Sequence, residues 1–229
     1  MRAALVLLSL LSAEAATTRR PAIQSVLALR GGGPAQAVAS VKTPKETYQG
    51  MAEKGRDNAK LPIAKTLHQS IMGGCYVGFG GLLSMCIAGQ CGGIAKENPG
   101  LQKFIFAALF PVNLLLILMS GGQLFTGNSA AVPAALYEGL VTPAELAQSW
   151  AVSYFGNIIG CGLFALAAQY TGLLAYGVKD LAVATVLKKC GSSFGPTVVK
   201  AIMCNWLVCM AVWLAGAAND LTGKMVGIW

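Results

Sequence analysis

Residues 120–133, SGGQLFTGNSAAVP, concentrate side chains suited to handling a small solute. Gly121, Gly122 and Gly127 leave the backbone open, Gln123 and Asn128 add amides, and Thr126 adds a hydroxyl between the bulky Leu124–Phe125 pair and Gly127. Amides, a hydroxyl and open peptide N–H groups recognise a ligand by hydrogen bonding and break no covalent bond. No window of the sequence holds paired carboxylates, a His/Cys ligand cluster or a nucleophile beside a base, so neither an enzyme nor a cofactor is expected. The seven cysteines form no CxxC or CxxH pair. Most fall in apolar windows, where a thiol packs as a small hydrophobe, and no metal site or disulfide is expected.

The elements that must hold this stretch are membrane spans. The chain is 55% hydrophobic and only 11% charged, with a mean hydropathy of +0.61, outside the range of soluble domains. Charge-free windows cover residues 66–95, 104–137, 146–178 and 201–219, each able to supply the roughly 20 apolar residues of a spanning helix. The expected fold is an all-α polytopic membrane protein with spans at about 64–90, 104–137, 145–175 and 197–218, and a fifth starting at 224–229. The chain reads as the front part of something longer.

The second window is too long for one straight helix. Residues 104–137 would extend about 51 Å as a helix, against a hydrocarbon core of roughly 30 Å. A break over 121–128 resolves the mismatch, with a first half over 104–120 and a second helix from Ser129, capped by Asn128 or Ser129. Pro133 then falls near the first turn of that helix. Non-helical backbone survives at membrane depth only where protein buries it or it lines a watered cavity. A half-helix that begins at such a break turns its positive end toward an anion.

The remaining segments set the context. Residues 1–45 read as a leader: MRAALVLLSLLSAEAA has the layout of a signal peptide, and the basic, hydroxyl-rich stretch after it that of a transit peptide. Such a tandem points to a plastid envelope, the plain signal peptide to the plasma membrane. Residues 46–63 are polar and mixed in charge, consistent with a solvated tail or a surface helix. The net charge of +8 comes from scattered basic residues without interleaved aromatics, so no nucleic-acid partner is expected. Gly74 with Gly78, and Gly156 with Gly160, stand at the GxxxG spacing that lets membrane helices approach. Asn157 beside the second pair reads as an interhelical hydrogen bond.

LMSGGQLFTGN, SWAVSYFGNIIGC and KAIMCNWLVCMAVWLAG, in this order, strongly resemble the formate/nitrite transporter family from about residue 64 onward. The resemblance implies an aquaporin-like fold of two inverted three-span repeats with broken second and fifth spans. It further implies a homo-pentamer in lipid in which each protomer conducts small monovalent anions such as nitrite, formate or lactate, either as a channel or coupled to a proton. By position, QLFTG resembles the family's pore-closing loop, with Thr126 offering its hydroxyl to the anion and Leu124 and Phe125 as apolar plug. Phe110, Leu114 and Val208 resemble the apolar constriction, the first two sharing a helix face by their spacing. Asn205 resembles an amide that holds the loop, and Lys200 a basic residue at the mouth. Gln123 stands where the family usually has an acid. The family's central histidine lies in its fifth span, and His68 is the single histidine here. The alternative expectation is a non-transporting truncated subunit with a structural or regulatory role in a pentamer.

Overall fold

A computed structural model describes residues 41–229. The expected leader lies outside the described residues, apart from residues 41–45. The described chain is helical, and the one strand-like feature among the described residues is an isolated bridge between Val41 and Ala218.

Helix α1, Pro44–Ala59, starts at the sequence TPKE. Thr43 caps the helix, Pro44 occupies the first turn without a missed hydrogen bond, and Glu46 bonds back to the Thr43 N–H at 2.8 Å, a complete capping box. That backbone bond from Thr43, followed by the Thr43 hydroxyl, holds the Glu46 carboxyl below its ordinary value of 4.5. The same device recurs at TPAE, where Thr142 and Glu145 start α7, Pro143–Tyr170. Between them lie α2, Ile63–Ala88, the short α3, Gly92–Glu97, α4, Pro99–Leu109, α5, Val112–Ser120, and α6, Phe125–Tyr137. After α7 come α8, Tyr176–Cys190, α9, Phe194–Ala217, and α10, Leu221–Ile228.

Four apolar stretches are long enough to span a bilayer: Ile63–Ala88, Pro99–Ser120, Pro143–Tyr170 and Phe194–Ala217. They coincide with the four expected spans to within a few residues at most ends. The second crossing starts five residues early, and α8 is an element the charge pattern did not announce. The polar segment before the spans is helical and not a free tail. It is α1, packed along α6, with Gly55 so close to the Ala131 carbonyl that a Cβ would collide with it.

Helices α2 and α7 form the most extensive pair. Gly74 meets α7 beside Gly160 and Cys161, and Gly160 lies on the Ile71 carbonyl of α2. Both expected GxxxG pairs are therefore packing surfaces, Gly78 seating the Phe164 ring. Across the crossing the Cys75 thiol donates to the Gly160 carbonyl and the Cys161 thiol to the Gly74 carbonyl. All seven cysteines are free.

The end of α9 is closed by cations. Lys42 Nζ donates to the Gly216 carbonyl at 3.0 Å, and Lys224 Nζ to those of Ala215 and Ala218 at 2.9 and 2.8 Å. These carbonyls carry the negative end of the helix dipole, where ammonium groups are favoured.

Candidate functional site: the break in the second span

The second crossing is interrupted twice. Pro111 has no N–H to continue α4, so the helix ends at Leu109 and α5 restarts at Val112, as a proline in a helix interior requires. Phe110 and Leu114 fall on either side of this interruption. Phe110 is 37% exposed and stacks on Phe106 at 6.0 Å. Leu114 is buried with Ala215 and Ile228, and Leu124 packs against this cluster.

The main break is shorter than the expected 121–128. It runs over Gly121, Gly122, Gln123 and Leu124. Gly121 ends α5 at φ 79, a left-handed conformation open to glycine at little cost, and its N–H and that of Gly122 both reach the Ile117 carbonyl at 3.1 and 3.0 Å. Gly122 lies on Gly73 of α2, and a side chain on Gly73 would collide with the Gln123 carbonyl. Helix α6 begins at Phe125, so Thr126, Gly127, Asn128 and Ser129 form its first turn and cap nothing, and Pro133 falls inside the helix instead of near its start.

The capping group comes from another span. Asn157 of α7 accepts the Phe125 N–H on Oδ1 at 2.9 Å, and its Nδ2 donates to the Gln123 carbonyl at 2.9 Å and the Ser70 carbonyl of α2 at 2.8 Å. One side chain thus satisfies backbone groups on either side of Leu124 that an unbroken helix would have paired. The expected interhelical bond of Asn157 is present, and what it holds is the break.

A chain of neutral amides completes the clamp. Asn58 Nδ2 of α1 donates to Asn128 Oδ1 at 2.9 Å, Asn128 Nδ2 to Gln123 Oε1 at 3.0 Å, and Gln123 Nε2 to Gln69 Oε1 of α2 at 3.0 Å. The Gln123 N–H donates to the Gln69 carbonyl at 3.1 Å, and Trp150 Nε1 to the Asn128 carbonyl at 3.2 Å. Gln123 and Asn128 are each only 2% exposed, so unpaired amides there would be costly. The two inner amides, Asn128 and Gln123, each both give and take, which an ionised carboxylate at position 123 could not do.

The start of α6 faces α9. Ser129 Oγ donates to the Thr126 carbonyl at 2.7 Å, Asn205 Nδ2 donates to Ser129 Oγ at 2.8 Å, and the Cys209 thiol lies 3.7 Å from the same carbonyl. Asn205 thus bonds the start of α6 through Ser129 and leaves its own Oδ1 buried without a partner among the described residues. The N–H groups of Thr126 and Gly127 and the Thr126 hydroxyl also have no partner there. The two plug side chains diverge: Leu124 enters the Leu114 cluster, whereas Phe125 meets Tyr154 and Trp150 of α7 edge-on at 5.4 and 6.0 Å. Val208 is half-buried on α9, one residue before Cys209.

Two openings lie along α9. A cavity of about 230 Å3 lies between α1, the end of α5 and the end of α9, with Lys42, Lys54 and Lys224 in its wall. A groove of about 860 Å3 lies at the other end of α9 and contains Lys200, whose Nζ donates to Ser192 Oγ at 3.4 Å.

A polytopic helical protein whose second crossing unwinds around satisfied amides, leaving a helix N-terminus open, belongs among the broken-helix membrane carriers and channels. The sequence profile of the formate/nitrite transporter family matches residues 45–229, and the chain belongs to this family. It is 36% identical over 190 residues to the "Uncharacterized transporter YrhG" of Bacillus subtilis, covering 82% of this chain and 70% of the relative. It is 34% identical to the "Probable formate transporter" of Methanothermobacter thermautotrophicus, covering 83% and 75%, and 32% identical to "Formate channel BtFdhC" of Bacillus thuringiensis, covering 81% and 71%. A solved "FNT family ion channel" superposes with a TM-score of 0.71 at 25% identity, over 81% of this chain and 73% of that one. The family is one of transporters and channels, which makes this an integral membrane protein of anion transport and not an enzyme.

Sequence reasoning passed over Gln69, Asn58 and Trp150, and gave Ser129 a different part. Asn58 lies in a polar stretch with no apolar period to mark a buried face, and Gln69 and Trp150 lie inside apolar windows.

Proposed function

We propose that the protein carries a small monovalent anion, formate or nitrite, across its membrane together with a proton, and that the anion passes at the start of α6. One observation supports this above the others: the N–H groups of Thr126 and Gly127 and the Thr126 hydroxyl stand unpartnered at the positive end of a half-helix. Donors so placed favour an anion. Apolar Leu124 and Phe125 beside them, with Phe110, Leu114 and Val208 as further apolar residues along the route, impose a desolvation penalty on a bare charge, which a proton taken up by the anion removes. Lys200 in the groove at one end draws anions in, and Asn205 keeps the turn in register through Ser129. The apolar surface of α9, with Ile202, Trp206 and Leu207 each more than half exposed, suits burial in a homo-pentamer and in lipid. Names of similar proteins speak of formate, and the leader reading favours nitrite carried into a plastid.

The test is uptake of radiolabelled formate and of nitrite by the full-length protein in proteoliposomes. Uptake rises as external pH falls if a proton accompanies the anion. No uptake of either anion at any pH removes the reading.

A further inference from the structure

The groove at the start of α9 carries more positive charge than a monovalent solute requires. Lys103 of α4, Lys188 and Lys189 of α8 and Lys200 of α9 all line it, and no carboxylate does. The one ion pair among the described residues, Arg56 with Asp57, belongs to α1. The hydroxyls of Thr185, Ser192 and Thr197 stand in the same wall. The volume of about 860 Å3 falls within the ~300–1,000 Å3 of sites for medium-sized organic ligands, whereas a water-sized solute needs about 30 Å3. Helix α8, absent from the sequence expectations, contributes two of the four lysines.

We infer that this groove binds a multivalent, phosphate-bearing anion, and that the bound anion closes the mouth to the transported solute. A cleft lined by one sign of charge with apolar walls focuses the field, here on Phe106, Leu181 and Ala201 among others. A monovalent anion leaves three of the four ammonium charges uncompensated. Two linked phosphate groups place several oxygens among the four ammoniums at once, each contact a charge-assisted hydrogen bond. The Ser192 hydroxyl, which accepts from Lys200, supplies a neutral donor between them, whereas those of Thr185 and Thr197 donate to the Leu181 and Ser193 carbonyls. The source is either a soluble oligophosphate or the headgroup of an anionic phospholipid, since the groove opens at the end of the spanning helices. Binding follows from the groove alone, and the closing of the mouth rests on the transport reading above.

Inorganic pyrophosphate titrated into the full-length protein in zwitterionic lipid nanodiscs tests it by calorimetry, with sodium chloride at matched ionic strength as the screening control. Pyrophosphate is expected to bind, and K188Q/K189Q to weaken it at least ~10-fold while K188R/K189R holds it, because Arg also pairs with phosphate. Both positions are exposed, so neither double variant threatens the fold. Nanodiscs containing cardiolipin separate the sources: a weaker apparent pyrophosphate affinity there assigns the groove to headgroups, and an unchanged one to soluble anions. Pyrophosphate binding with no uptake activity sustains the anion site while the transport reading, and the closing of the mouth with it, fails. Robust uptake with no pyrophosphate binding, or with binding indifferent to K188Q/K189Q, overturns it and leaves the transport reading standing.

Discussion

Replacing Asn157 by leucine removes a side chain of similar size and three hydrogen bonds. The Ser70 carbonyl keeps its place in the helical ladder of α2, but the Phe125 N–H and the Gln123 carbonyl have no other partner. Two orphaned backbone groups at ~1–3 kcal/mol each give about 4 kcal/mol against the broken conformation. Since every ~1.4 kcal/mol is tenfold, local opening at the break becomes roughly a thousandfold more frequent. Hydrogen exchange of the Phe125 amide in detergent, read by mass spectrometry, is the assay, with exchange at the centre of α7 as the internal control. N157D separates donor from acceptor: its carboxylate still accepts from Phe125 but opposes the two carbonyls, and protonation restores one donor. Its exchange at Phe125 is therefore expected to slow as pH falls, and that of N157L to be indifferent to pH beyond the intrinsic rate. Wild-type exchange at Phe125 in N157L would refute the clamp.

Three further outcomes follow from the same geometry. Gly73→Ala pushes a methyl group into the Gln123 carbonyl, and overpacking of about 1–3 kcal/mol is expected to lower the melting temperature in detergent, where an unchanged value would deny the close approach. Gly121→Ala meets no atom within 4 Å, so its cost is confined to the positive φ, about 1 kcal/mol, and it should be milder than Gly73→Ala in the same melt. Glu46 contributes to α1 through a lowered carboxyl: because the folded value lies below the unfolded one, its stabilisation is present above the ordinary 4.5 and is lost as pH falls through the folded value. A fluorophore on α1 should report loosening in that acid range in the wild type, and a smaller change in Glu46→Gln.

Much of this was legible in the residues. Charge-free windows fix the spans because ionised side chains are too costly in hydrocarbon, and the glycine pair at 121–122 marks the break because only a short backbone-rich turn can stop a helix there. Where α6 begins was not legible, because its cap is Asn157, 32 residues onward in sequence. Serine and asparagine at 128–129 look like local caps, yet a side chain from another span satisfies the break first. Helix α1 was misread for a related reason: its buried face is made of Thr47, Ala52, Gly55, Asn58 and Ala59, small and polar residues that register as solvent-facing. Pro111, visible in the sequence, marks the first interruption of the crossing. Lys188 and Lys189 fall between the third and fourth expected spans, and they share a groove with Lys200 through α8, which packs against α2.

The most direct measurement is the initial rate of formate uptake by Thr126→Val at matched incorporation into proteoliposomes. Valine keeps the shape and removes the hydroxyl, and the carbonyl that Ser129 bonds is left in place. A fall of at least ~10-fold, about 1.4 kcal/mol at the barrier, is expected if the anion passes the start of α6. A rate equal to wild type would mean that the anion crosses elsewhere.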